Sequence, residues 1–425
     1  MASVDRPTYG GQAVLEGVLI RGQRHAAIAV RRPDGTMALK CEPLSSVYTG
    51  GLRKVPVLRG ILVLAETLTL GMRALTYSAN VAAEAEGEEI GKGAMALTFA
   101  FSMVFAIGLF FMVPLLASLG CPYTCNFCAD WNNPYSVLPT DQLEADLKYL
   151  SANYPGVKIT FHDPNFAVQF DKTLDILERV PEGHRNPYIM ESSLSVLKED
   201  RLARLRDTNC FFIAPGVESW TDYSNKAGVG RKTGEEKVRL VAEHMEMLHS
   251  YVPAIQANFM FGLDTDEGTE PVELTKDFMT RTPFAWPVVN IPVPFGGTPL
   301  HNDYLAGGRI LDGIPFSFYY FPYLVTTIKN YDPVTYYQYL LDMLLHYSTR
   351  KFWWRRLGTT TSQSLRLLYT VRTLRVKEGI EHFRKMLDRL TTDRQFRDFH
   401  EGGATGVPEF YNHEFERLLG RYAPL

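Results

Sequence analysis

"ASLGCPYTCNFCAD", residues 117–130, places Cys121, Cys125 and Cys128 within one short loop. Thiolates are soft ligands that suit zinc or iron–sulfur clusters, and a C-x3-C-x2-C spacing lets all three converge on one centre. The other two cysteines, Cys41 and Cys210, lie far away, and Cys210 sits in an apolar strand pattern. Three ligands with no local fourth leave a coordination position open, as in metal sites that react rather than brace. A structural zinc completed by His162 is the alternative reading. Five cysteines in 425 residues do not suggest a disulfide framework.

Immediately upstream, Gly93 to Gly120 carries no charged side chain. Such a run is long enough to cross a bilayer as helix, which takes about 20 apolar residues. Residues 93–117 are therefore expected to be a transmembrane segment; a buried helix running into a strand is the alternative. The preceding "VPVLRGILVLAETLTLGMRAL" is interrupted by Arg59, Glu66 and Arg73 and reads as an amphipathic or interfacial helix.

Four parts follow: residues 1–92, a small β unit plus helices; 93–117, the apolar segment; 118–310, an α/β domain; and 311–425, a helical region. In the first, alternating apolar and polar positions flank a turn at Pro33-Asp34-Gly35. In the third, "VKITFHD", "PYIMES", "NCFFIAPG", "AIQANFMFG" and "VVNIPVP" read as strands separated by helices. Leu143, Leu147 and Leu150 mark one helix face, with Thr140 as its expected cap and Pro155-Gly156 as its stop. Val238, Val241, Met245 and Leu248 mark another. Repeated strand–helix units imply a parallel sheet or barrel with functional groups at the strands' C-terminal ends. In the last part, "RKFWWRRL" and "SLRLLYTVRTLRVK" read either as a solvated basic face or as a contact with an anionic membrane or extended substrate. The balance of 44 basic and 47 acidic residues argues against a general nucleic-acid binder.

Two resemblances emerge. "GGQAVLEGVLIRG", "VRRPDG", "LRG" and "LTYSAN" resemble the start of an uncharacterised bacterial membrane-protein family, a likeness that fades near Leu116 and implies no known activity. From about 117 to 310, the cysteine loop with Phe127 before its last cysteine resembles the radical S-adenosylmethionine (radical SAM) superfamily. So do "ITFHDPNF", "APGVES", "NFMFGLDTD" and "IPVPFGGTPLHNDY". The resemblance implies a partial (β/α)6 TIM-like barrel, here with an N-terminal membrane-associated module and a C-terminal helical extension. It implies a [4Fe-4S] cluster on Cys121, Cys125 and Cys128 and S-adenosylmethionine chelated to the open iron. It further implies reductive cleavage to a 5′-deoxyadenosyl radical that takes hydrogen from an unknown substrate. By position, Phe127, Asp163, Gly216 and Glu218 become expected cofactor contacts.

A reductant such as flavodoxin or ferredoxin is expected as partner, with a small-molecule or lipid-like substrate, a membrane and no nucleic acid. The domain would face the cytoplasm. Relatives of this style often carry a cobalamin domain. No cobalamin-binding unit is expected ahead of the loop, and Asp398-Phe399-His400-Glu401-Gly402-Gly403 reads as a chance match to the cobalamin fingerprint. The competing classes are an inactive membrane-anchored scaffold and an electron-transfer iron–sulfur protein. If the chain is one working enzyme, "MVPLLASLG", residues 112–120, must also supply the first barrel strand.

Overall fold

The computed structural model describes residues 10–14, 16–22, 25–32, 35–44, 70–71, 73–78, 81, 112–166, 168–320, 322–403 and 406–419. The chain divides into two compact units, Met1–Leu109 and Phe110–Leu425.

In the first unit, β1 (Gly10–Val14), β2 (Gly17–Arg21), β3 (His25–Arg31) and β4 (Met37–Pro43) form an antiparallel meander in chain order. Alternation puts Leu19, Ile28, Val30 and Ala38 on one buried face, where Ala74 and Val81 join them. Gly35 sits at φ +83° in the β3–β4 connection, which is the conformation the expected turn requires.

The second unit is built on β5 (Met112–Leu115), β8 (Lys158–Phe161), β9 (Tyr188–Ser193), β10 (Cys210–Glu218), β11 (Ala254–Met260) and β12 (Ala285–Asn290), with a minor ribbon of β6 (Ser118–Leu119) and β7 (Ser136–Val137). The six strands run parallel in the order β12-β11-β10-β9-β8-β5. Among the described residues no pairing joins β12 to β5, so the sheet is open rather than a closed barrel. Both edge strands contain proline, Pro114 in β5 and Pro287 in β12. Edges tolerate proline because its missing N–H would face away from the ladder.

The end of the uncharged run is strand, not membrane span. Met112–Leu115 pairs in register with Lys158–Phe161, covering a β8 edge that would otherwise expose unpaired backbone groups. Residues 93–111 lie outside the described residues, as does most of the expected interfacial helix. Among the described residues no helix is long and apolar enough to cross a membrane.

The intervening helices include α1 (Thr140–Asn153), α2 (Phe170–Glu178), α3 (Glu199–Asp207), α4 (Gly234–His249), α5 (Glu270–Arg281) and α6 (Pro299–Ala306). Leu143, Leu147 and Leu150 of α1 and Val238, Val241, Met245 and Leu248 of α4 are all buried, as their spacing requires. Thr140 does not cap α1: it is the first helical residue, Pro139 precedes it, and no side chain caps that end. The sixth strand starts earlier than expected, at Ala285, and stops at Asn290. Beyond it Pro292 and Pro294 cannot donate to a ladder.

The C-terminal region is helical: α7 (Pro333–Tyr347), α8 (Arg350–Gly358), α9 (Gln363–Thr392), α10 (Arg394–His400) and α11 (Glu409–Leu419). Leu365, Tyr369, Val376, Ile380 and Phe383 of α9 share the main core with the sheet. The Asp398–Gly403 match is the end of α10. His400 is buried, with one ring nitrogen 2.7 Å from the Phe396 carbonyl and the other 2.8 Å from the Tyr411 hydroxyl. Its hydrogen-bonding capacity is spent inside the core.

Candidate functional site

The cysteine loop leaves the sheet through β5 and β6. Gly120 begins it at φ +67°, and a Cβ there would meet the Asn133 and Pro134 carbonyl oxygens at 2.7 and 2.5 Å. Only glycine fits that close approach. Backbone bonds then fold the loop on itself: Cys121 N–H donates to Asn133 at 3.3 Å, Cys128 N–H to Cys125 at 3.1 Å, and Trp131 N–H to Cys128 at 3.1 Å. The segment after β12 closes over it. The Trp131 indole donates to the Gly297 carbonyl at 3.0 Å, and Leu300 N–H donates to the Asn126 carbonyl at 3.0 Å. A proline- and glycine-containing stretch thus holds the cysteine loop through two hydrogen bonds.

Cys121, Cys125 and Cys128 are free thiols, half-buried, and all three border one cavity of about 400 Å³. That size lies in the usual range for small-molecule sites. Much of the rest of its wall comes from the C-terminal halves of the strands: Asn165 after β8, Ser193 of β9, Gly216 and Glu218 of β10, Asn258 of β11 and Asn290 of β12. Burial raises the Cys125 thiol above its ordinary value, while the Lys226 ammonium works against that shift. Among the described residues no three His, Cys, Asp or Glu side chains stand close enough to hold one metal ion. Three thiolate donors bordering one cavity are a donor set of the kind that soft iron–sulfur clusters take. Cys210 takes no part: it is buried, its thiol is pushed up to about 12 by burial, and it contacts the Phe212 carbonyl at 3.8 Å. Cys41 belongs to the other unit.

Gly216 and Glu218 act together. The Glu218 carboxylate folds back over Gly216, where a Cβ would collide with it. Glu218 itself adopts φ +67°, a left-handed conformation uncommon outside glycine, at the strand end that meets the cavity. Its carboxylate pairs with Lys226 at 3.1 Å. Lys226 also lies 5.4 Å above the Phe127 ring, and Phe127 stacks on Tyr223 with centroids 6.0 Å apart. The Tyr223 hydroxyl donates to the Asn126 side chain at 2.6 Å. Phe127 therefore faces a second recess of about 250 Å³, lined also by Tyr123, Thr124 and Ser224.

Asp163 is placed differently from expectation. It is 2 % exposed and does not line the cavity. Its oxygens accept from Ala117 N–H at 3.1 Å, from the Ser118 hydroxyl at 2.6 Å and from Ser118 N–H. Burial raises its pKa and the Ser118 and Ala117 bonds oppose that. Asp163 ties β8 to the start of the cysteine loop and is committed before any ligand arrives. The adjacent Pro164 and Asn165 reach the cavity instead.

Sequence reading missed Lys226, Tyr223 and the polar cavity floor. The floor left a signal: strands of a covered parallel sheet should be apolar on both faces, yet Gln256, Asn258 and Asn290 interrupt theirs. A relay orients this floor. Arg372 of α9, which has only donors, donates to the Gln256 side-chain oxygen Oε1 at 3.2 Å. The Gln256 amide then donates to the Asn258 side-chain oxygen at 2.9 Å. The Asn258 NH2 remains as that residue's hydrogen-bonding group toward the cavity.

Residues 115–277 match the family model of the radical SAM superfamily, and residues 55–132 match one described as a protein of unknown function, DUF1385. The second match runs past Leu116 into the cysteine loop. Among curated proteins, the bacteriochlorophyllide d C-12(1)-methyltransferase of Chlorobaculum tepidum is 25 % identical over 219 residues, covering 49 % of this chain and 46 % of that protein. The C-8(2)-methyltransferase of the same organism is 26 % identical over 209 residues, covering 47 % and 46 %. The uncharacterised protein YqhQ of Bacillus subtilis is 38 % identical over 73 residues, covering 17 % and 23 %. The chain thus spans about half the length of the two methyltransferases. A solved structure of the cobalamin-dependent radical enzyme OxsB aligns over 73 % of this chain and 50 % of its own, at 15 % identity and a TM-score of 0.43. Over residues 115–277 the chain is thus similar to the radical SAM superfamily, whose members use a [4Fe-4S] cluster and S-adenosylmethionine.

Proposed function

We propose that the second unit is a radical SAM enzyme whose open sheet serves as the partial barrel, with Cys121, Cys125 and Cys128 holding the cluster. The observation that carries this is the convergence of those three thiols on a cavity whose wall is polar strand ends. When bound, the cluster and S-adenosylmethionine supply a 5′-deoxyadenosyl radical that takes a hydrogen atom from the substrate. The chain's own side chains have distinct tasks in this reading. The Glu218 carboxylate accepts hydrogen bonds from the cofactor, and Gly216 leaves room for that carboxylate and the bound molecule. Phe127 offers an aromatic face, and the Asn165, Ser193, Asn258 and Asn290 side chains orient polar groups. The clamp of residues 295–300 on the cysteine loop restricts water access to one side of the centre.

Because such a cluster needs a reductant, the reading places this unit on the cytoplasmic side with flavodoxin or ferredoxin as donor. Methyl transfer, the activity in the two relatives' names, belongs to proteins about twice the matched length, and only the shared radical chemistry is proposed for this chain. The test is anaerobic reconstitution with iron and sulfide, then dithionite and S-adenosylmethionine. Formation of 5′-deoxyadenosine supports the reading. A reducible cluster that leaves S-adenosylmethionine intact would make this an electron-transfer protein instead.

A further inference from the structure

We propose that α8 and α9 form a docking face for a bilayer surface that carries anionic lipid. The chain as a whole is slightly acidic, but residues 343–377 contain no Asp or Glu and eight Lys or Arg. Two of these, Arg356 and Arg372, point inward. The other six, Arg350, Lys351, Arg355, Arg366, Arg375 and Lys377, are exposed; Arg375 pairs at 4.0 Å with the exposed Glu378 just beyond this run.

The cations frame an apolar stripe. One side of α9 is core, through Leu365, Tyr369, Val376 and Ile380. The other side presents Leu367, Val371 and Leu374 at i, i+4 and i+7, with 65, 45 and 57 % of each residue exposed. Helix α8 is fixed alongside by the Trp353 indole, which donates to the Thr370 hydroxyl at 3.2 Å. Trp354, with 65 % of its surface exposed, stands beside Trp353 at a centroid distance of 4.7 Å. Scattered exposed leucines need no explanation. Here, however, aliphatic residues on one helix face join an exposed tryptophan and lie within a run lacking any negative charge. That is the composition of helices that lie in a membrane interface: Leu and Trp enter the acyl boundary while Lys and Arg meet anionic headgroups. A nucleic-acid face would use the cations and aromatic stacking and gain nothing from the aliphatic row.

The proposal does not depend on the radical chemistry. Its test is flotation of the full chain with vesicles of phosphatidylcholine alone or with added phosphatidylglycerol. An apolar segment that inserts on its own would bind both kinds, so the measured quantity is the preference for anionic vesicles. Wild type should show that preference. It should fall at least about tenfold in Lys351→Glu/Arg375→Glu/Lys377→Glu, since each basic residue near such a surface contributes measurably. It should also fall in Trp354→Ser/Leu367→Ser/Leu374→Ser. All six positions are exposed, and unchanged circular dichroism would confirm folding. Equal binding of wild type to both vesicle kinds overturns the proposal, as does a preference that survives both variants. Binding of a single-stranded RNA oligonucleotide that competes with anionic vesicles and persists in the apolar variant would assign the face to nucleic acid. Self-association of wild type that the apolar variant abolishes, without vesicle preference, would assign it to a second copy.

Discussion

The two ends of the six-stranded sheet contain similar chemical groups put to opposite use. At the C-terminal end, Lys226 is half-buried beside Glu218, under a cavity open to ligand. At the N-terminal end, Arg356 is fully buried among Trp286, Phe352 and Tyr347, with its guanidinium 4.6 Å from the Trp286 ring centroid and no carboxylate partner among the described residues. One end turns its polar groups toward a ligand-sized cavity; the other buries them in packing. Substitutions at the first should change binding with little effect on stability, and substitutions at the second should do the reverse.

The largest contrast concerns the thiols. Changing Cys121, Cys125 or Cys128 to Ala should abolish the visible absorbance of the reconstituted cluster, while Cys210→Ala should keep it. Loss of the cluster in a folded Cys210→Ala protein would erase the distinction between the two ends.

Asp163 lies near the cysteine loop but belongs with the packing groups. Asp163→Ala strands two backbone N–H groups and a hydroxyl that now share one carboxylate. The expected cost is about 3–4 kcal/mol in chemical denaturation, since buried unsatisfied donors cost about 1–3 kcal/mol each and some will relax. A variant of wild-type stability that loses only S-adenosylmethionine affinity would return Asp163 to the ligand side.

His400 gives the packed side a pH signature. Burial lowers its pKa to about 4, against about 6.5 in an unfolded chain. The unfolded state therefore binds the proton first as pH falls. The stabilisation is complete above pH 6.5 and is lost as pH drops toward 4, by about 3 kcal/mol in all. His244 and His249, also lowered by burial, act in the same direction. His400→Gln should flatten part of this slope in denaturation series. An unchanged slope would show that His400 does not carry it.

At the ligand end, Glu218→Ala should leave the cluster absorbance intact and weaken S-adenosylmethionine binding about tenfold to a hundredfold. That corresponds to losing a hydrogen bond to a charged group, about 1.5–3 kcal/mol. Calorimetry under anaerobic conditions measures it, and unchanged affinity would leave Glu218 as a partner for Lys226 alone.

How well each end could be read in the sequence follows the same division. The packed end announces itself through periodicity: Val238, Val241, Met245 and Leu248 could only be one buried face. The cysteines were legible because ligand spacing within a loop is local. Lys226 was not, because its meeting with Glu218 and Phe127 depends on how a connection after β10 folds back. The bonds of Asp163 to Ala117 and Ser118 are not legible in the sequence for a related reason. A carboxylate after a strand has the same sequence context whether it faces a ligand or the amides of a neighbouring strand. Thr140 failed as a cap because the helix began one residue earlier than the capping pattern supposes. The shared end of the apolar run and the first strand was legible only as a demand of the sheet: "MVPL" has the composition of either.

The smallest expected effect is also the sharpest test of the packed end. Arg356 donates from Nε to the Pro283 carbonyl at 3.2 Å, but neither of its terminal nitrogens has a hydrogen-bond partner among the described residues. Burial lowers its pKa to about 10. The cation gains from the face of Trp286, yet a buried charge without a counter-ion is costly, and apolar residues of similar volume often replace such groups without loss. Arg356→Met should therefore change stability by no more than about 1 kcal/mol, most of it in the stabilising direction, with cluster content unchanged. Arg372→Met, by contrast, also removes the donor that orients Gln256 and through it Asn258, so its effect should appear at the cavity. A large destabilisation by Arg356→Met would mean that the guanidinium holds an anion or water that its surroundings must supply, and the packed end would then bind a ligand of its own.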